Sequence, residues 1–453
     1  MRKLFGTDGI RAVAGEAPLD RRTVFAVGVA LAHHIGRTGE QPRSTQRVVL
    51  GMDTRESSPW IAATITAGLR QGGAAVESAG VITTPAIAYL ARTHGFDAGI
   101  VISASHNPWQ DNGIKVFGPD GYKLPDATEL AIEEEIFAQL AAGHADTAHD
   151  DAPPAVEEAD RVEYVQALLA AVPGLSLDGK RIVVDCANGA ASAVAAQLFA
   201  GLGGEVRIYG SSPDGRNINE GCGALHPDVV ARMVVEEKAD LGITFDGDAD
   251  RALFADENGK VVNGDAVMLL AGRDLLARGL LQNNTVVATT MSNMGLEAAL
   301  KRSGIRMLRA PVGDKYVLQQ MQETGASLGG EQSGHILFTG KSTTGDGLLT
   351  ALLLLDIVHR SGKSLGELTS DLKTFPQVIV NVRVREKKPL ESIPAVASAI
   401  AAAEAALADT GRVVIRYSGT EALARVMIEA EDEATMRHHA EAIADAIRAE
   451  LGL

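Results

Sequence analysis

Three carboxylates at alternate positions, Asp246, Asp248 and Asp250, directly follow an apolar run at 241–245. Charges set so close behind a buried strand are costly unless a cation neutralises them. A hard divalent cation with oxygen ligands does so, and a few carboxylates plus a phosphate oxygen is the usual surrounding of Mg2+. The spacing resembles an EF-hand, and Glu257 even falls at the twelfth position. But Arg251 stands where that loop needs glycine, and a strand rather than a helix precedes it, so an EF-hand is excluded. A solvated acidic turn is the plainer alternative.

Other loops carry reactive side chains. Ser103-Ala-Ser105-His106-Asn-Pro108, followed by Asp111-Asn-Gly-Ile-Lys115, describes a tight exposed turn with two hydroxyls. Adjacent Ser and His make no nucleophile–base pair by themselves, and alone the segment reads as an ordinary turn. Gly329-Gly-Glu331-Gln-Ser333-Gly-His335 offers a carboxylate, an amide, a hydroxyl and an imidazole, a set suited to sugar hydroxyls. A self-satisfied turn explains it equally well. Arg416-Tyr-Ser418-Gly419-Thr420-Glu-Ala-Leu-Ala-Arg425 combines two arginines, two hydroxyls and a glycine, the makings of a phosphate cradle. Near the start, Phe5-Gly-Thr-Asp-Gly-Ile-Arg11 is a polar turn ending in a base.

The elements that must position these loops are legible as a pattern. Apolar β-branched runs alternate with helical stretches, which argues an α/β architecture. Strands are expected at 47–51, 99–102, 181–184, 241–245 and 285–288, and helices at 60–71 and 191–202. The acidic, Ala/Pro-rich stretch 143–158 reads as a linker. A weak repeat emerges when strand ends are aligned. One strand type begins at Val48, Ile182 and Val286; a second begins at Ala98, Leu241 and Leu328 and empties each time into a loop with chemistry. Open α/β sheets place ligands there, beyond the carboxyl ends of their strands. Three related α/β domains with mixed sheets around one cleft follow. From residue 377 the order strand 378–384, helix 394–407, strands 412–417 and 424–429 and helix 433–451 suits a small α+β domain. The expected boundaries are 1–155 for the serine loop, 156–258 for the acidic loop, 259–373 for the sugar loop and 374–453 for the phosphate cradle.

Composition narrows the class. The 453 residues, with 46% hydrophobic and 22% charged, describe a globular chain of about three domains by length. The net charge of −16 argues against binding nucleic acid or an anionic membrane. The apolar run 348–358 carries Asp356 and is far shorter than the ~20 residues a bilayer needs. Only Cys186 and Cys222 are present, so a reducing, cytoplasmic setting without disulfides is expected.

Taken together and in order, the motifs from Gly6-Thr-Asp-Gly-Ile-Arg11 to Arg416-Tyr-Ser-Gly-Thr-Glu421 resemble the α-D-phosphohexomutase superfamily across nearly the whole chain. Three details are similar to its glucosamine-phosphate branch: Ser103 opening the serine loop, Gln332 in the middle of the sugar loop, and Asn217-Ile-Asn-Glu-Gly-Cys222-Gly. Ala224 departs from that branch, which commonly has Ser or Thr there. The resemblance implies four domains, the smaller C-terminal one closing on phosphate. It implies that Ser105 carries a phosphoryl group and exchanges it between O1 and O6 of glucosamine phosphates through a 1,6-bisphosphate. One Mg2+ per chain would be held by Asp246, Asp248, Asp250 and a phosphoserine oxygen. Lys115 and His335 would move the hydroxyl proton, and Arg11 and Arg251 would steady the transferring phosphate. Glu331 and Ser333 would hold the sugar, and Arg416, Ser418, Gly419, Thr420 and Arg425 the idle phosphate. A glucosamine or glucose 1,6-bisphosphate would serve as primer, the partner is a small sugar phosphate, and a homodimer is left open. The rivals are the same chemistry on glucose or mannose phosphates, a phosphatase with Asp246 as nucleophile, and a non-catalytic sensor.

Overall fold

The computed structural model describes residues 4–6, 8–35, 45–143, 155–418 and 422–453. They form two compact units, 1–291 with 307–369 and 292–306 with 370–453.

The first unit holds three sheets. The first has the strand order Phe5–Gly6, Gly9–Val13, Asp111–Phe117, Ala98–Ile102, Arg47–Met52, Ala75–Val81. The second runs Val261–Val262, Ala252–Ala255, Leu241–Phe245, Arg181–Asp185, Glu205–Tyr209, and the third Arg306–Ala310, Thr285–Thr289, Leu328–Gly330, Ile336–Phe338. The repeat read from the sequence is visible in their registers. In each sheet the two strand types are parallel neighbours: Val48 opposite Ala98, Ile182 opposite Leu241, Val286 opposite Leu328. The second strand then returns antiparallel, with Ile102 paired to Ile114, Phe245 to Ala252 and Gly330 to Ile336. The serine, acidic and sugar loops are therefore equivalent hairpin connections in three copies of one sheet plan.

Parallel strands buried on both faces need helical cover. Helices Arg21–His34 and Ser58–Gln71 supply it for the first sheet, burying Val24, Leu31, Ile61, Ile65 and Leu69 against Val48, Leu50, Ile100 and Ile102. The Asp20 carboxylate caps the first helix by accepting from Thr23 N–H at 3.0 Å, and Pro59 preorganises the first turn of the second. The two helices touch backbone to backbone at Gly28 and Gly68. A Cβ on Gly68 would lie 2.2 Å from the Phe25 carbonyl oxygen.

One expected helix is corrected. The stretch 191–202 is a 3₁₀ turn, Ala190–Ala193, followed by a short helix, Ala195–Ala200. Ala190 N–H donates to the Gly247 carbonyl at 2.8 Å and Ser192 Oγ to the Gly189 carbonyl at 2.6 Å. These bonds compete with regular helical pairing and tie the segment to the acidic loop. Of the expected linker, 144–154 lie outside the described residues; helix Glu158–Ala170 begins at its end.

The second unit contains the sheet Gln377–Arg383, Leu423–Ala430, Gly411–Tyr417, antiparallel throughout. Helices Pro394–Leu407 and Glu433–Leu451 bury Val396, Ala403, Ile443 and Ile447 on Val382, Val426 and Ile428. Helix Met294–Arg302 joins this unit, its Met294 N–H donating to Glu429 Oε1 at 3.2 Å. Among the described residues no helix is long and apolar enough to cross a membrane.

Because backbone cannot step aside for a methyl group, Gly68→Ala should lower stability by about 1–3 kcal/mol. An unchanged midpoint of chemical unfolding, followed by circular dichroism, would contradict this helix crossing.

Candidate active site

The three hairpin loops of the first unit meet side chain to side chain. Ser105 is buried, and its backbone occupies the left-handed region at φ 53°. Its Oγ donates to Asp246 Oδ2 at 2.6 Å, and His106 Nδ1 lies 3.2 Å from the same oxygen. Burial, then Arg251 and Arg11, push the His106 imidazolium down to about 4, so this ring beside Ser105 is neutral near pH 7. Ser103 Oγ accepts from Ser105 N–H at 2.9 Å and donates to Asp53 Oδ2 at 2.6 Å.

Asp246 and Asp248 are wholly buried and Asp250 nearly so, and one oxygen from each lies within 4.8 Å of the others. Ala249 takes φ 58° to turn all three inward. Asp248 Oδ1 and Asp250 Oδ1 have no hydrogen-bond partner among the described residues. Burial, followed by Asp250 and Asp248, pushes the Asp246 carboxyl up to about 8. Buried, hard, mutually repelling oxygen donors with unspent lone pairs fit a divalent cation of the Mg2+ kind. Gly247 lets this loop reach the nucleophile: a Cβ there would lie 2.5 Å from the Ser105 carbonyl oxygen.

Cations of the chain itself close on the same carboxylates. Lys115 Nζ is 2.8 Å from Asp248 Oδ2, 3.0 Å from Asp8 Oδ2 and 3.3 Å from Asp250 Oδ2. Burial opposes its charge, yet Asp248, Asp8 and Asp250 hold the ammonium well above the usual lysine range. Asp8 also pairs with Arg11 and, at 2.5 Å, with Lys123, which reaches Asp314 at 2.5 Å. Arg251 Nε stands 3.8 Å from Asp250 Oδ1 and 4.0 Å from Asp246 Oδ2.

His335 is pulled two ways. Its Nδ1 faces Asp250 Oδ1 at 3.5 Å, and Gly345 N–H donates to Nε2 at 3.2 Å, which requires a lone pair there. That hydrogen bond selects the neutral ring with its proton on Nδ1. Burial also favours the neutral ring, but Asp250, Asp314 and Glu331 raise its affinity for a second proton to about 9.

Arg11, His106 and Arg251 line a cavity of about 360 Å³ together with Asp8, Asp250, Asp314, Glu331 and His335. Burial pushes the Glu331 carboxyl up, with His335 and Arg251 opposing. Ser333 does not line the cavity, although its Oγ is without a partner among the described residues. Gln332 turns away to donate to Asp265 Oδ2 at 3.1 Å.

In the second unit Arg416 and Arg425 are direct partners across two strands. Like charges so placed repel unless an anion joins them. Lys387 Nζ donates to the Ser418 carbonyl at 2.6 Å, adding a third cation beside that loop. Gly419 and Thr420 lie outside the described residues.

Four family models match the chain in order: phosphoglucomutase/phosphomannomutase alpha/beta/alpha domains I, II and III over 2–142, 162–259 and 263–375, and the C-terminal domain over 379–446. A phosphoglucosamine mutase of Koribacter versatilis (strain Ellin345) is 58% identical, over 100% of this chain and 98% of that protein. The chain belongs to the α-D-phosphohexomutase superfamily. A second phosphoglucosamine mutase, from Solibacter usitatus (strain Ellin6076), is 52% identical over 100% of this chain and 99% of its own length. Two solved phosphohexomutase structures share the fold. A phosphoglucomutase/phosphomannomutase family protein of Burkholderia thailandensis gives a TM-score of 0.76 at 23% identity, covering 99% of both chains. The N-acetylphosphoglucosamine mutase of Aspergillus fumigatus, solved with GlcNAc-6P and magnesium, gives 0.67 at 19% identity over 99% of this chain and 96% of its own. Phosphohexomutases are metal-dependent, and the acidic triad here fits that requirement.

Asp8, Lys123 and Asp314 of this phosphohexomutase are site residues that the sequence motifs do not single out. Asp8 stood inside the quoted Gly-Thr-Asp-Gly-Ile-Arg stretch, a signal that was present but ambiguous. The others sit in unremarkable sequence and matter only through contacts distant along the chain.

If the triad is the metal centre, Asp248→Asn should weaken Mg2+ binding at least as much as the roughly 10–100-fold cost of disturbing an outer-shell partner. Isothermal titration of the metal-stripped protein reads this, and an unaltered affinity would place the cation elsewhere.

Proposed function

We propose that this chain interconverts glucosamine 6-phosphate and glucosamine 1-phosphate, the reaction of a phosphoglucosamine mutase. The observation that carries the proposal is the buried Ser105 hydroxyl 2.6 Å from a buried Asp246, beside a cavity lined by Arg11, His106, Asp250 and Arg251. The names and full-length coverage of the relatives at 58% and 52% identity support the amino sugar.

In this reading Ser105 enters the cycle as phosphoserine. Its Oγ–P bond breaks as a bond from phosphorus to the sugar O1 forms, and the O1 proton passes to a base of the chain. Lys115 and His335 are the candidates for that base: Lys115 is held as an ammonium by three carboxylates, and the His335 Nε2 lone pair is engaged by Gly345 N–H. The resulting 1,6-bisphosphate turns over, and Ser105 takes the phosphoryl from O6. Arg11 and Arg251 balance charge on the transferring group, and Glu331 and Ser333 hold the sugar, the carboxylate suiting a protonated 2-amino group. A Mg2+ held by Asp246, Asp248, Asp250 and a phosphoserine oxygen would supply electrostatic stabilisation of the phosphoryl group. Arg416, Ser418, Gly419, Thr420 and Arg425 grip the phosphate that is not reacting. A glucosamine or glucose 1,6-bisphosphate primes the serine. The four domains are taken as 1–155, 156–258, 259–373 and 374–453, and the enzyme as cytoplasmic.

The deciding experiment compares kcat/KM for glucosamine 1-phosphate and glucose 1-phosphate with Mg2+ and a bisphosphate primer. A preference for the amino sugar of about 100-fold or more, ~2.7 kcal/mol in transition-state binding, is expected. Equal or reversed preference would move the chain to the neutral-sugar branch. Arg416→Ala should chiefly raise KM, by about 10-fold or more given the ~1.5–3 kcal/mol of a charged hydrogen bond. An unchanged KM would remove the cradle from this account.

A further inference from the structure

Two side chains that touch neither the cavity nor the serine hydroxyl hold the backbone that carries it. The carbonyl oxygens of Ser105 and Asn107 each accept two N–H donors. Arg55 Nη2 reaches them at 2.9 and 2.8 Å, and Asn219 Nδ2 at 2.9 and 3.2 Å. Arg55 extends the grip along the loop, donating through Nη1 to the carbonyls of Asp111, at 2.9 Å, and Pro108. Both residues are buried, Arg55 to 1% exposure and Asn219 to 8%.

Each clamp is itself anchored. Asp53 Oδ2 fixes Arg55 Nε at 2.8 Å and also accepts from Ser103 Oγ, the group that receives Ser105 N–H. Asn219 holds a left-handed backbone at φ 59°, with its N–H donating to the Ala187 carbonyl at 2.9 Å. Arg55 comes from the loop after strand Arg47–Met52 of the first sheet, and Asn219 from the loop between strand Glu205–Tyr209 and helix Pro227–Glu237 of the second, the sheet that also presents Asp246. The Ser105 loop is thus gripped from two different sheets' loops.

We propose that Arg55 and Asn219 are positioning residues that hold Ser105 in its left-handed conformation, so that Oγ points at Asp246. This rests on the proposed role of Ser105 and deepens it. An arginine buried only for stability has no reason to share both acceptors with an asparagine from another sheet. A serine at φ 53° relaxes toward ordinary backbone once the carbonyls are released, and its hydroxyl swings with it.

The test uses the full-length phosphorylated enzyme, with Ser105 occupancy matched by mass spectrometry, in single-turnover transfer to saturating sugar phosphate. Asn219→Gly keeps the left-handed backbone and deletes the amide. Arg55→Lys keeps the charge but not the fork. Each should slow transfer 10-fold or more while KM for the sugar phosphate stays within twofold. A purely structural role would instead lower the unfolding midpoint and leave transfer per folded, phosphorylated molecule unchanged, which overturns the inference. Should Arg55→Lys fail to fold, Asn219→Gly decides alone. A parent enzyme with no transferable phosphoryl on Ser105 overturns the proposed reaction and this inference together; an active parent and an equally fast Asn219→Gly overturns the inference only.

Discussion

Three buried carboxylates within 4.8 Å of one another cannot all stay ionised unless positive charge is brought to them. Much of the site answers that constraint. Lys115 crosses from the first sheet to Asp248 and Asp250, Arg251 leans back over its own loop, and His335 arrives from the third sheet beside Asp250. The compensation is uneven. Asp250, where burial is outweighed by Lys115, His335 and Arg251, stays well below the usual carboxylate range, whereas burial and its two neighbours push Asp246 up. Asp246 is also the carboxylate that accepts from Ser105. The protein's own cations therefore leave most unrelieved negative charge beside the nucleophile, where a metal ion and a phosphoryl group would together restore balance.

The second tier of charge follows from the first. Burying Lys115 among acids requires its remaining partner, Asp8, to be held, and Arg11 and Lys123 hold it. Burial works against the Asp8 charge, but Lys115, Lys123 and Arg11 keep its carboxyl well below the usual range. Lys123 then passes the connection to Asp314 on the wall shared with His335. An alternating chain of acids and bases, Lys115, Asp8, Lys123 and Asp314, thus links the first and third sheets around the cavity.

The repeat was legible because its signal is local: apolar strands at Val48, Ile182 and Val286, and again at Ala98, Leu241 and Leu328, have the same sheet partners in each copy. Asp246, Asp248 and Asp250 were legible because their spacing is a chemical pattern. Arg55 and Asn219 left no such pattern. Each acts through backbone carbonyls 50 and 114 residues away along the chain, and nothing about a lone arginine or asparagine announces that. Asn219 lay within a stretch read only as a branch marker, and its use is mechanical. Stretch 191–202 misled because its composition is helical while Gly247 and Ser192 claim the backbone at its start.

If the carboxylates exist to support a phosphoryl group on Ser105, the location of that group is the central claim. Protein incubated with isotopically labelled glucose 1,6-bisphosphate and Mg2+, then digested and mapped by mass spectrometry, reports it directly. An acid-stable phosphoserine at position 105, lost on adding excess sugar monophosphate, is expected. A hydroxylamine-labile acyl phosphate on Asp246, with Ser105 unmodified, would contradict it.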